Sequence, residues 1–297
     1  MVVFEGSSFA GVYENALKTL MNGDNMHTSA RGLETRELTD IALVINNPIS
    51  SLYINETRSS QKKYIAAELL WYFLGRDDVE FIKEYASFWT QIQNEDGTAN
   101  SSYGKLLFDK KNRFGKTQYE WARESLEKDS DSRQAIMHFN LPEHQYHGNK
   151  DFVCTMYGIF QIRDNKLNFT INMRSNDAIW GTPTDVAFFT VLQQQMLNHL
   201  QVTYPDLQMG KYTHIVNSFH VYKRHYTIVE SMIDGNFNED KFPEINKNLI
   251  THTGNPSTEL VLLSNHYKDS DAVVVNDSMF KWIQENIKEN VDRYEKA

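Results

Sequence analysis

The sequence predicts an α+β protein in which helices and strands alternate without a regular rhythm. Three observations carry this. Lys63–Leu74 (KYIAAELLWYFL) is dense in good helix formers and is followed by Gly75, a stop signal. Phe152–Ile162 is rich in aromatic and β-branched residues, and after it Leu167, Phe169, Ile171 and Met173 alternate with polar residues, the period of a half-buried strand. These segments do not repeat as βαβ units, so a mixed sheet flanked by helices is expected rather than a doubly wound one.

Taken in order, helices are expected over Lys63–Leu74, Asp78–Trp89 and Thr117–Lys128, the last amphipathic through Tyr119, Trp121, Ala122 and Leu126. Strands follow at Phe152–Ile162 and Leu167–Met173, joined by the turn pair Asp164-Asn165. Asp185–Leu200 reads as helix, Tyr212–Tyr222 as strand and Arg224–Ile233 as a further helix. With six prolines, none clustered into a linker, and no internal repeat or low-complexity tract, 1–297 is expected to be one domain.

Composition narrows the function. Of 297 residues, 40% are hydrophobic and 23% charged, which suits a folded globular chain. A single Cys excludes a disulfide framework and Cys-rich metal sites, which fits a reducing, cytoplasmic setting. No apolar stretch of membrane-spanning length occurs, and Met1–Ala10 lacks a basic run followed by an apolar core, so no membrane association is expected. The formal charge of -9 opposes direct nucleic-acid binding, including a non-catalytic regulator, so anionic ligands must be held by local arginines.

Candidate chemistry gathers around Cys154. Alone in an apolar strand, a Cys is more often inert core than nucleophile. Polar residues cluster after it: Arg174, Ser175, Asn176 and Asp177, then Gly181 and Asp185, then His220 and Tyr222. An arginine beside a thiol favours the thiolate and also offers an anion paired donors. Each residue alone has a plain alternative: Arg174 and Asp177 as a surface ion pair, Glu68 as an exposed helix residue, His220, Tyr222 and Trp89 as packing, Asp185 as a helix cap. His144 and His147 lack a second ligand pair; a solvated loop is expected and no metal site.

The ordered set ELLW (Glu68–Trp71), YGK (Tyr103–Lys105), DSR (Asp131–Arg133), Cys154, RSND (Arg174–Asp177), Gly181–Asp185 and HVY (His220–Tyr222) resembles the thymidylate synthase family over roughly Ser29 to Tyr226. Residues 233–297 lie beyond the resemblance. The context of Cys154, which is followed by Thr155, with NMRSND and HVYxRH, is most similar to the phage branch that hydroxymethylates deoxycytidylate (dCMP).

The resemblance implies a folate-dependent one-carbon transferase in the host cytoplasm, serving phage DNA modification, with its sheets packed at a homodimer interface. Cys154 would add to pyrimidine C6 while 5,10-methylenetetrahydrofolate is the cosubstrate. Glu68 and Tyr103 would serve catalysis. Arg174 and Ser175 would bind the nucleotide phosphate, with Arg133 reaching it from the partner subunit and Arg31, or its rival Arg36, supplying a phosphate-loop contact. Gln134 stands where the family usually has a second arginine. His220 and Tyr222 would hold the deoxyribose hydroxyl. Asp177, Gly181 and Trp89 would form the folate site.

By the same resemblance, Asp185 would select the base. The family places an Asn there to read uracil. Cytosine reverses both of uracil's edge groups, offering an amino donor and an unprotonated N3, and a carboxyl group matches that pattern. The reading is therefore a dCMP 5-hydroxymethyltransferase. Its alternatives are a methyltransferase on dCMP or dUMP, or a CMP hydroxymethylase. The charged carboxy-terminal run Asp292–Ala297 suits water addition better than a water-tight lid.

Overall fold

The computed structural model describes residues 1–22, 26–266 and 277–288. Its strands are β1 (Val2–Gly6), β2 (Met26–Thr28), β3 (Thr35–Ile45), β4 (Leu52–Ile54), β5 (Ile136–His138), β6 (Thr155–Arg163), β7 (Lys166–Met173), β8 (Asn176–Asp177), β9 (Gln208–Tyr222) and β10 (Asn238–Asp240). Its helices are α1 (Phe9–Met21), α2 (Lys62–Phe73), α3 (Val79–Ile82), α4 (Trp89–Ile92), α5 (Gln118–Lys128), α6 (Thr182–Leu200), α7 (Tyr226–Asp234), α8 (Thr258–His266) and α9 (Ser278–Ile287).

The main sheet runs β1-β3-β9-β7-β6-β5, with β2 added to β3 and β8 to β9. It is mixed: β1/β3 and β7/β9 are parallel, while β3/β9, β6/β7 and β5/β6 are antiparallel. Alternation along β7 sends Leu167, Phe169, Ile171 and Met173 to one fully buried face. Nearly all of α6 is buried and packs on β7 and β9 from that side. The opposite face carries half-buried side chains such as Asn168, Thr170 and Asn172.

Sequence signals explain the joints. Asp164 and Asn165 both take left-handed backbone (φ 50° and 56°) and close the β6–β7 hairpin at the Arg163–Lys166 pair, as short polar side chains allow. Thr117 and Glu120 form a reciprocal cap at the start of α5. Gly75, with φ 67°, ends α2.

Three expectations need correction. Asp78–Trp89 is not one helix: Asp78 caps a single turn, α3, and the chain restarts only at α4. Strand β6 begins at Thr155, so Cys154 precedes the strand instead of lying within it. The His144–His147 run is not simply a solvated loop, since His144 is buried and its Nδ1 accepts the Leu141 N–H at 3.1 Å. Beyond residue 233, α8 and α9 add to the core, with α9 packing along α2 and Asp277 capping it through the Met279 and Phe280 N–H groups.

Candidate active site

Four segments bring the polar residues together: the end of the loop before β6, the turn after β7, the first turn of α6, and α2. Gly104 is what lets Tyr103 join them. A Cβ there would lie 1.8 Å from the Tyr72 carbonyl oxygen, so only glycine permits the π-helical turn Lys105–Asp109 to press onto α2. Tyr103 consequently stacks on Tyr72 with ring centres 5.1 Å apart.

The Tyr103 hydroxyl is the junction of the site. It accepts from Thr155 Oγ1 at 2.7 Å and donates to Asp185 Oδ1 at 3.1 Å, so two hydrogen bonds link Asp185 to the residue that follows Cys154. Asp185 is in the first turn of α6, which begins at Thr182, and its other oxygen accepts from Asn176 Nδ2 at 2.8 Å. It does not cap the helix; its own backbone N–H already donates to the Gly181 carbonyl. Burial pushes its pKa up to about 7, against the lowering effect of the Asn176 and Tyr103 hydrogen bonds.

Cys154 is half-buried, and Arg174 Nη2 lies 3.5 Å from its sulfur. The Arg174 backbone N–H also donates to the Cys154 carbonyl at 3.0 Å. The guanidinium is fixed by its Nε–H to the Val153 carbonyl at 3.1 Å, by Nη2 to the Phe152 carbonyl, and by the Phe152 ring below it. Arg174 and Asp177 are therefore not a surface ion pair. Placed beside the sulfur, the positive charge favours the thiolate.

Glu68 is 6% exposed and accepts from both Tyr64 (2.8 Å) and Tyr72 (3.2 Å). Desolvation raises its pKa to about 8, with the charge of Asp185 adding to the rise and the tyrosine hydrogen bonds opposing it. Trp89 stands behind it, 6% exposed, donating its indole N–H to Tyr64 at 3.0 Å and meeting Trp71 edge-on.

On the other flank, Asp177 Oδ1 accepts the N–H groups of Ile179 (2.8 Å) and Trp180 (2.9 Å). Gly181 is pinned close: a Cβ would fall 2.7 Å from Asn176 Nδ2. Strand β8 pairs Asp177 with His220, whose Nδ1 is 3.3 Å from the Ser218 carbonyl and whose ring meets Tyr222 edge-on. Ser175 and Tyr222 are half-buried. The chain's arginines divide. Arg133 is exposed, Arg36 is committed to the Met21 carbonyl at 2.6 Å and to the Tyr226 ring, and Arg31 lies in the 3-10 turn Ala30–Gly32 with its side chain outside the described atoms.

Several residues here escaped the sequence reading: Thr155, Tyr64, the buried pair Tyr212–His214, and Trp180, which is half-exposed with Arg58 stacked 3.9 Å from its ring centre. Among the described residues no group of three or more His, Cys, Asp or Glu is placed to hold a metal ion, and no helix is long and apolar enough to cross a membrane.

Comparison with known proteins decides the family. The profile described as "Thymidylate synthase" matches residues 11–270. The chain belongs to the thymidylate synthase family. The match extends well beyond the Ser29–Tyr226 span that the motifs mark out. The deoxycytidylate 5-hydroxymethyltransferase of Enterobacteria phage T6 is 31% identical over 209 residues, 67% of this chain and 80% of the relative. The deoxyuridylate hydroxymethyltransferase of Bacillus phage SP01 is 28% identical over 237 residues, 76% of this chain and 60% of that protein. In fold, the chain is similar to thermostable thymidylate synthase A from Bacillus subtilis: TM-score 0.61, 22% identity, covering 80% of this chain and 87% of that one. The mixed sheet flanked by helices is thus the family's architecture.

Proposed function

We propose that this family member is a deoxycytidylate 5-hydroxymethyltransferase. The observation that carries the reading is Asp185, a carboxyl group where thymidylate synthases carry an amide, joined through Tyr103 and Thr155 to the segment holding Cys154. Its two oxygens match cytosine's edge: one accepts from the exocyclic amino group, while the other gives a hydrogen to N3. A raised pKa keeps that hydrogen available near neutrality.

The Cys154 thiolate, favoured by Arg174, adds to C6 of the base and the displaced electron pair appears at C5. Hydrogen donated at N3 by Asp185 accommodates the charge that accompanies addition. When bound, 5,10-methylenetetrahydrofolate supplies the one-carbon electrophile for C5. The residues present fit it: Asp177 has its Oδ1 saturated by backbone N–H groups, leaving Oδ2 to accept from a pterin; the exposed Trp180 face, backed by Arg58, suits an aryl ring; Gly181 keeps the backbone close. Trp89, the other residue expected to pack on the folate, reaches Glu68 through Tyr64.

Glu68, neutral near pH 7 and held by two tyrosines, organises water and its proton beside the ring. Loss of the C5 proton and departure of tetrahydrofolate leave a methylene group on C5; water adds to it, giving a hydroxymethyl group, and expulsion of the Cys154 sulfur restores the aromatic base. Arg174 and Ser175 hold the phosphate, and His220 and Tyr222 the sugar. The exposed Arg133 acts across a homodimer built on the uncovered sheet face; Arg31 completes the phosphate site. The run Asp292–Ala297, on which the lid argument rests, lies outside the described residues.

The test is tritium release from C5-labelled dCMP and dUMP with methylenetetrahydrofolate. Release from dCMP without dihydrofolate formation supports the reading, because only hydride transfer oxidises the folate. Release confined to dUMP overturns it.

A further inference from the structure

Behind Asp185 lies a buried relay that the covalent chemistry at Cys154 does not use. Tyr212 and His214 on β9 have no exposed surface, and Asn176 is 4% exposed. The Tyr212 hydroxyl is 2.7 Å from His214 Nδ1, His214 Nε2 is 2.9 Å from Asn176 Oδ1, and Thr182 Oγ1 donates to that same amide oxygen at 2.7 Å. The amide nitrogen then reaches Asp185 Oδ2.

The direction of each hydrogen follows from elementary acidity. Burial holds the His214 pKa down to about 3, so the ring is neutral and carries one N–H. Between a phenol and an imidazole nitrogen the phenol is the donor, which puts the ring hydrogen on Nε2, facing the Asn176 oxygen. With two donors on Oδ1, the amide can present only N–H to Asp185. A reversed amide would set oxygen against carboxyl oxygen and NH2 against two donors. Tyr103 is a donor too, because its oxygen already accepts from Thr155. Among the described residues, both side chains hydrogen-bonded to the Asp185 carboxyl are thus donors, and any hydrogen on the carboxyl is left for the ligand.

We propose that Tyr212, His214 and Asn176 are specificity-positioning residues, whose fixed donor direction forces Asp185 to give its hydrogen only to the bound base and so selects a ring-nitrogen acceptor over an N–H. The proposal rests on the dCMP reading above and names the groups that enforce it.

The experiment measures equilibrium binding of dCMP and dUMP to wild type, Asn176→Asp, His214→Phe and His214→Gln. A merely structural role would weaken both nucleotides alike. The expected result is a dCMP/dUMP preference that falls about tenfold in Asn176→Asp and His214→Phe, the scale of one hydrogen bond to a chargeable group, and recovers in His214→Gln, which keeps an N–H donor. An unchanged preference in the first two variants, with wild type still selecting dCMP, overturns the relay alone. Wild type selecting dUMP overturns the dCMP reading and the relay with it. Should the variants not fold, two-bond ¹H–¹⁵N spectra of histidine-labelled wild type report the His214 tautomer directly: hydrogen on Nε2 supports the relay, and hydrogen on Nδ1 overturns it.

Discussion

The hydroxyl of Tyr103 donates to Asp185 Oδ1 at 3.1 Å while accepting from Thr155, so the group proposed to read the base and the proposed nucleophile's neighbour share one hydroxyl. On that proposal, recognition of the base and bond formation at Cys154 are geometrically coupled. A base seated wrongly against Asp185 would be displaced from Cys154 as well.

Replacing Asp185 with Asn should exchange the preferred base. An amide cannot supply cytosine's complement, and a site built on hydrogen-bond pairing rejects a mismatched partner by roughly 10⁴. Tritium release with dCMP is expected to fall on that order while dUMP gains. A variant that keeps wild-type dCMP activity would contradict the assignment.

Cys154→Ser should abolish turnover while leaving nucleotide binding and folding near wild type. The side chain is half-buried and packs at the margin of the core, so losing sulfur costs little stability, whereas a hydroxyl is a far weaker nucleophile. Tritium release, thermal unfolding and dCMP binding together separate the two effects. Full activity in the serine variant would remove covalent catalysis from the account.

The unliganded protein should lose stability as pH rises from about 5 to about 8. Glu68 and Asp185 have folded-state pKa values of about 8 and about 7, raised by burial above their ordinary carboxylate values. Between those limits the folded state binds more protons than the unfolded one, so stability falls with increasing pH. The groups facing the pair are Tyr64 and Tyr72 of α2, Tyr103 and Cys154, none carrying a positive charge that would offset the effect. Glu68→Gln and Asp185→Asn should each flatten the slope of thermal midpoint against pH. A slope identical in wild type and both variants would refute this origin.

Subunit mixing tests the proposed trans role of Arg133. The side chain is exposed. Arg133→Ala and Cys154→Ser homodimers should each be nearly inactive, and their mixture should regain activity through sites with neither defect. Mixtures no more active than their parents would argue for sites contained within one chain.

Much of this was legible in the sequence because two signals agreed. The α2 run, the Asp164–Asn165 hairpin and α6 follow local rules of propensity and turn chemistry, and structure places them within a few residues of expectation. Position 185 stood out in the sequence because a carboxyl stands where the family usually has an amide, and the structure buries it against Tyr103 and Asn176; its role in reading the base remains the proposal. The amino-terminal β1–α1–β3 unit lacked such a signal, since its pairing joins Val2–Gly6 to strand residues nearly forty positions away. Asp78–Trp89 misled because apolar residues at helical spacing also suit two single turns packed over Trp71. Thr155, Asn176 and His214 matter through partners distant in sequence, with His214 reaching Asn176 across 38 positions, and no spacing rule announces such a contact.

The most direct test of the central claim is the mass of the nucleotide formed from dCMP and methylenetetrahydrofolate. The account predicts dCMP heavier by one CH2O unit, with no dihydrofolate. A product heavier by CH2 alone, or dCMP returned unchanged while dUMP is consumed, would contradict it.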